Sequence, residues 1–549
     1  MNRRQFLLAP AAAAGAQAGR AQTEGAHERW IRMAESLKPR LEESRRPPVS
    51  IVRPVADASR FLRWRMEPAA PAARLGERLF RRDDSFILDF GRHTTGYLTF
   101  ALAGEGEAVD APVRLRLTFG EVPADVAEPL DAGTLSRAWQ PDEIVNVDFL
   151  PRQVRLPRRY AFRYVKVEVI DTSPNFAVRF GQVEALPVTS AGSDPPPLPG
   201  SVPEDLRRID EVSLNTLRDC MQTVFEDGPR RDRRLWIGDL RLQALTNYAT
   251  FRNDDLVKRC LYLFAGLPRE DGLVAACVYD QPKPLCGRQY ILDYAVLYGA
   301  TVLDYVRATG DKATARELWP VVRRQMEIAG RFVNGDGLFV DPGGWWIFID
   351  WRDELERTAA MHAVLLFGYR QALELARVAG EERDASAYAG RIEHMTAAAR
   401  SAFRDPARRL FVSGKARQVS WATQAWMVHA GVAAKEEGAD ALRAVMKARD
   451  AVRPGTPYLY HYVVDAMLAS GMKEEALGLI RSYWGGMVEA GADTFWEVYD
   501  PANPLLSPYK SVFANSYCHA WSCTPAYFLR GRGLTAASSA ARRRSSGAS

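Results

Sequence analysis

Two stretches of the chain concentrate groups that can move protons. "EDGPRRDRRLWIGD", residues 226–239, sets three aspartates and a glutamate among four arginines around a single tryptophan. "GADTFWEVYDPANP", residues 491–504, places Glu497 directly after Trp496 with no arginine near it in sequence. Carboxyl groups beside aromatic rings are what sugar hydrolysis uses. Apolar sugar faces stack on indole rings, one carboxyl group protonates the leaving oxygen, and a second activates water. The candidates for that pair are Asp227, Asp232, Asp239 and Glu497. For the three aspartates a plain ion pair with Arg231 or Arg234 is an equally good reading; Glu497 has no such neighbour. Other chemistries find little footing. The six cysteines form no tight CxxC pair near clustered histidines, so no metal site is expected, and no glycine-rich phosphate loop or Ser-His-Asp order emerges. His362, His429 and His461 fall within helical patterns and read as core or surface residues. His519, between Cys518 and Trp521, is the histidine placed at the site.

The elements that must position these loops follow from hydrophobic period. From about residue 85 to 190, "FILDFG", "GYLTFALAG", "VRLRLTFGE", "EIVNVDFL" and "RYVKVEVI" alternate apolar with polar residues between turn signals. That pattern predicts an antiparallel β-sandwich. "SAGSDPPPLPGSVPED" then reads as a linker, centred on residues 191–203. From 204 to 535 apolar residues recur at i, i+3, i+4 and i+7, and many segments end in glycine. A long run of paired helices without strands predicts an all-α (α/α)6 toroid, a barrel whose loops meet at one mouth. In a closed ring the first and last hairpins are neighbours, which brings the two carboxylate-rich loops together.

The totals bound the rest. A chain of 549 residues exceeds what one core usually organises. Its formal charge of +6 is owed largely to the two termini, so nucleic acid is excluded as a partner. "MNRRQFLLAPAAAAGAQAGRAQ", residues 1–22, has the Arg pair, apolar stretch and small-residue sites of a twin-arginine export signal, which implies a periplasmic or secreted protein. Residues 23–84 read as an N-terminal extension and 536–549 as a basic, disordered tail. No later segment approaches the roughly 20 apolar residues of a membrane-spanning helix. The cysteines read as free buried thiols.

The helical region resembles the catalytic domain of glycoside hydrolase family 78, the α-L-rhamnosidases, and the β region resembles the domain that accompanies it. The phrases that carry the likeness are "DGPRRDRRLWIGD", "DYAVLYGATVLDYVRATGD", "FIDWRDE", "GTPYLYHYVVDAMLASG", "RSYWGGMVEAGADTFWE" and "SYCHAWSCTPAYFL", in that order. The resemblance implies a carbohydrate substrate, no cofactor, and Glu497 as the general base of an inverting displacement. It also implies that Asp227, Arg231, Trp236 and Asp239 line the sugar subsite, with Trp496 and His519 nearby and Asp350 and Trp351 on a family-like loop. The usual general-acid glutamate of the first loop is missing, because the chain reads Arg231-Asp232-Arg233-Arg234 there. Three readings follow: Asp232 or Asp239 serves as the acid; Arg233 binds a uronic carboxylate or a sulfate; or catalysis is lost and the barrel only binds sugar. The first makes the protein an exported, inverting α-glycosidase acting on rhamnose or a related deoxy or uronic sugar. An unsaturated-uronide hydrolase and a catalytically silent carbohydrate-binding protein are the alternatives.

Overall fold

The computed structural model describes residues 25–535 apart from 108, 130, 132, 134, 137–138 and 140–141. The export segment and the basic tail expected from sequence lie outside the described residues.

A helix over 25–36 (α1) leads into a β-rich region. Its strands are β1 (Glu42–Glu43), β2 (Ser50–Ala56), β3 (Trp64–Pro71), β4 (Leu79–Phe80), β5 (Ser85–Gly106), β6 (Val113–Gly120), β7 (Asp142–Val147), β8 (Arg152–Arg155), β9 (Tyr160–Asp171) and β10 (Phe176–Thr189). All pairings between them are antiparallel. The main path runs β1-β10-β5-β9-β6-β7. The alternation seen in sequence is the alternation of faces: along β6, Val113, Leu115, Leu117 and Phe119 are buried while Arg114 and Arg116 are exposed. The long β5 curls, pairing with β2 and β9 in its first half and with β8 and β10 in its second. The sheet thereby closes round an apolar core that includes Phe86, Phe100, Val165 and Phe180. The register of β5 with β9 breaks between Asp89 and Thr94, and this irregularity turns His93 toward the helical region. A short helix, α2 (Ala124–Ala127), follows β6.

The helices are α3 (Glu204–Cys220), α4 (Ile237–Ala249), α5 (Asp254–Gly266), α6 (Leu292–Thr309), α7 (Lys312–Gly330), α8 (Thr358–Ala379), α9 (Glu382–Phe403), α10 (Trp421–His429), α11 (Lys435–Lys447), α12 (Pro457–Ala469) and α13 (Lys473–Glu489). Two layers are visible in burial. Along α4, α6 and α12 nearly every side chain is buried, whereas α9 and α13 bury one stripe, such as Ile392, Met395 and Ala399. The first kind forms the inner ring of a toroid and the second its outer ring. α13 packs on α3, closing the ring between the last hairpin and the first. Local chemistry fixes the ends: Thr456 caps α12 through Leu459 N–H with Pro457 in the first turn, and Gly310 ends α6 with φ 77°. The antiparallel β-rich domain and the helical toroid are the fold class that the two periodicities predict. Among the described residues no helix is long and apolar enough to cross a membrane.

α1 lies on the outside of the toroid. Trp30 and Ala34 join its core, and Arg259 on α5, fully buried, donates to the Ala34 carbonyl and to Glu35. A chain lacking residues 1–37 would leave that guanidinium short of partners in a buried setting. It should lose about 3 kcal/mol or more of unfolding free energy, read by denaturant titration; an unchanged midpoint and slope would show that α1 adds nothing.

Candidate active site

The two charged loops meet where the ring closes. The segment 221–236 links α3 to α4, and residues 490–519 follow α13. Asp227 organises the first: its carboxyl oxygens accept from the Arg234 and Asp232 amides at 3.1 and 3.4 Å, while its carbonyl accepts from Ala520 N–H at 2.8 Å. The loops are therefore tied to each other by backbone as well as by side chains.

Arg231 joins the two carboxylates on which sugar chemistry would depend. One terminal nitrogen donates to Glu497 Oε2 at 2.7 Å, the other to Asp232 Oδ1 at 3.2 Å, and Nε donates to the Ala514 carbonyl at 2.9 Å. Its guanidinium carbon sits 4.2 Å from the centre of the Tyr509 ring. Glu497 Oε2 also accepts from the Ser516 amide at 3.0 Å, and Oε1 accepts from the Tyr509 hydroxyl. Its main chain is fixed by Ser516 and by Trp521 Nε1. Burial alone would raise the Glu497 pKa, but the Arg231 charge, the charge of His519 when protonated and these donors outweigh it and hold the group below its usual value.

Together these residues line one pocket, with about 370 Å³ of space between its walls that includes the part open to solvent. One wall is polar: Asp227, Arg231, Asp232, Asp239, Glu497, Tyr509 and His519. The other is apolar, formed chiefly by Trp236, Tyr294, Phe348, Trp351 and Trp521, with Ile291 and Trp346. Depth is graded. The Glu497 and Asp239 side chains are 3% exposed and that of Asp232 is 17% exposed, while Trp346 at the rim reaches 38%. Gly238 permits close packing at the floor, since a Cβ there would stand 2.3 Å from the Tyr294 ring.

Two of the buried acids have their pKa values pushed up. Burial, reinforced by the neighbouring Asp232 carboxylate, lifts Asp227 to about 8. Burial, with Asp227 and Glu497 nearby, holds Asp239 well above its usual range. Asp239 Oδ1 and His519 Nδ1 stand 3.8 Å apart, and neither has a hydrogen-bond partner. Burial also lowers His519 to about 4, so its ring is neutral at neutral pH. An imidazole nitrogen and a carboxyl oxygen, both buried and without a hydrogen-bond partner, are suited to sugar hydroxyls.

Three residues expected at the site lie elsewhere. Arg233 has φ 61°, and this turn sends its guanidinium away from the pocket, to the Pro229 and Arg159 carbonyls at 2.8 Å each. Trp496 is buried on the opposite side of its strand-like segment from Glu497 and stacks on Phe61 with ring centres 4.1 Å apart. Asp350 is buried where it accepts from the Gly455 amide and the Thr456 hydroxyl, anchoring the start of α12. Its neighbour Trp351 does line the pocket. Conversely, sequence reasoning passes over Tyr509, Tyr294, Phe348 and Trp346. Tyr294 opens α6 within a quoted motif, but nothing in "SPYKS" marks Tyr509.

Carboxyl groups and aromatic rings lining one pocket of a six-hairpin toroid are the arrangement of a glycoside hydrolase. Residues 48–186 match the glycosyl hydrolase family 78 alpha-rhamnosidase N-terminal domain, and residues 201–532 match the bacterial alpha-L-rhamnosidase 6 hairpin glycosidase domain. A rhamnosidase from Klebsiella oxytoca, solved with rhamnose bound, is 46% identical with a TM-score of 0.90, covering 92% of this chain and 99% of its own. The family 78 rhamnosidase of Bacillus sp. GL1 shares the fold at 22% identity and TM-score 0.68, over 81% of this chain and 46% of that one. The Streptomyces avermitilis α-L-rhamnosidase, complexed with L-rhamnose, does so at 17% identity and TM-score 0.65, over 90% and 44%. No curated protein sequence matches the chain. The chain belongs to glycoside hydrolase family 78, the rhamnosidase family.

Tyr509 supplies a direct test of how Glu497 is held. The Tyr509 hydroxyl stabilises the carboxylate form, so Tyr509→Phe should raise the Glu497 pKa. A base works only when ionised, and activity falls as pH drops through its pKa; the acid limb of kcat/KM should therefore move to higher pH by about one unit. An acid limb that stays in place would separate Tyr509 from the charge state of Glu497.

Proposed function

We propose that the protein is an exported α-L-rhamnosidase that hydrolyses with inversion, using Asp232 as general acid and Glu497 as general base. The observation that carries this reading is the shared guanidinium: Arg231 holds the two carboxyl groups through separate terminal nitrogens, and both line the same pocket. Asp232 is the more exposed of the two and lies toward the aromatic rim, where a leaving group must exit. Asp239 and His519 are at the buried end, where the sugar ring must sit. In the forward step the Asp232 carboxyl proton passes to the glycosidic oxygen as the bond from that oxygen to C1 breaks. Glu497 takes a proton from water as the water oxygen bonds to C1 on the opposite face.

Asp227, lifted to about 8 chiefly by burial, lines the sugar subsite, so turnover should decline as it ionises above that pH. The apolar wall suits the 6-methyl group of a deoxy sugar. The turned-away Arg233 leaves a uronic carboxylate or sulfate without the counter-charge that reading requires. The Arg3-Arg4 pair and the apolar, alanine-rich run after it support delivery to the periplasm or beyond.

Aryl and alkyl α-L-rhamnosides test these roles together. Glu497→Gln should cost about 1,000-fold or more in kcat on both, with KM largely kept. Asp232→Asn should cost as much on an alkyl rhamnoside but far less on a nitrophenyl one, whose leaving group needs no proton. Proton NMR of the first-formed sugar should show the inverted anomer. Equal losses on both substrates for Asp232→Asn, or the retained anomer as first product, would refute the assignment.

A further inference from the structure

The β-rich domain reaches into the catalytic loops at several buried points. After β6, Glu121 and Asp125 are nearly inaccessible. Asp125 accepts from Arg230 at 3.0 and 3.2 Å, and Arg230 also donates to the Phe513 carbonyl, so one arginine of the first loop is clamped between the β-rich domain and the second loop. Glu121 Oε2 accepts from the Tyr517 amide at 2.8 Å. The adjacent Ser516 amide is the one that donates to Glu497 Oε2, and the Glu497 amide donates back to the Ser516 carbonyl. The other Glu121 oxygen faces His93 Nε2 at 3.0 Å, while His93 Nδ1 faces Asp219 at 2.6 Å and the His93 amide donates to Asp493 at 2.7 Å. Asp493 belongs to the stretch that ends in Glu497.

We propose that Glu121 is a positioning residue for hydrolysis: from the β-rich domain it fixes residues 516–517, and through the Ser516 amide it sets the orientation of the Glu497 carboxylate. The inference rests on Glu497 being the base. The reasoning is geometric. A peptide segment gripped on one side by a buried carboxylate cannot drift, so the neighbouring amide keeps its aim at Glu497. Release of that grip lets the amide turn away, and Glu497 loses a donor while keeping Arg231 and Tyr509. The remaining charged or titratable groups facing Glu497 are His519, Asp239 and Asp232, none of which contacts Glu121. The β-rich domain is on this account part of the catalytic apparatus, although none of its described residues lines the pocket.

The test uses the full chain with Glu121→Ala, and Glu121→Gln judged by the same readings if the alanine variant does not fold. Circular dichroism establishes folding, and kcat, KM and the acid limb of kcat/KM are measured on an aryl α-L-rhamnoside. The expected result is a fall in kcat of about 100-fold with KM changed by less than about threefold, and an acid limb displaced to higher pH. Loss of stability without displacement of the acid limb, or an unchanged kcat in a folded variant, would overturn the proposal. Glu497→Gln in parallel separates the two ideas. If that control keeps more than about a tenth of the rate the base assignment itself fails; if it is inactive and Glu121→Ala is not impaired, only the positioning role fails.

Discussion

One guanidinium group, that of Arg231, touches both carboxyl groups to which we assign the hydrolysis. It bonds Glu497 and Asp232 through separate nitrogens, stacks on Tyr509 and is tethered by the Ala514 carbonyl. A buried charge of this kind is costly unless every partner is in place, and here each partner comes from a different part of the ring closure. The planar fork allows little tolerance in direction. Fixing Arg231 therefore fixes the relation between the two acids, and most of the surrounding structure serves to fix Arg231.

That requirement explains why the loop before α4 is so densely charged. Its arginines are distributed among separate tasks. Arg230 is spent on Asp125, Arg231 on the acids, and Arg233 on the Arg159 carbonyl, while Arg159 itself holds Glu226 at the loop's start. Arg234 lies over Tyr279 beside Asp232. Three of these contacts lead into the β-rich domain. The loop is the joint between the two domains as well as one wall of the pocket, and its composition reflects the joint more than the wall. The same division appears in the acids. Burial pushes Asp227 and Asp239 upward in pKa, whereas the Arg231 charge and its other donors hold Glu497 below its usual value.

Much of this was legible before any coordinates. The period of two in "VRLRLTFG" and the period of 3.6 across α4 to α13 identify the two fold classes, because alternation and helical stripes follow directly from which faces must be buried. The adjacency of the charged loops follows from ring closure. Asp227, Arg231, Asp232, Trp236, Asp239, Trp351, Glu497 and His519 do line one pocket. What could not be read is side-chain direction. Arg233 and Trp496 each sit beside a pocket residue in sequence and point the other way, Arg233 through its left-handed turn and Trp496 because alternate residues of an extended segment face opposite sides. Asp350 has the composition of a site residue and is used as a helix anchor. Tyr509 lies in a segment with no motif, and its importance arises only from folding back over Arg231.

The central claim is that Asp232 and Glu497 act from opposite faces of one sugar, and a crystal structure of the protein with L-rhamnose in the pocket measures this directly. The account predicts the anomeric carbon between the two groups, a water on the Glu497 side, Asp232 toward the anomeric oxygen, and carboxyl groups roughly 6.5–9.5 Å apart, the spacing of inverting enzymes. A separation of about 5–5.5 Å, the spacing of retaining enzymes, or an anomeric oxygen directed at Asp239 with Asp232 out of reach, would contradict it.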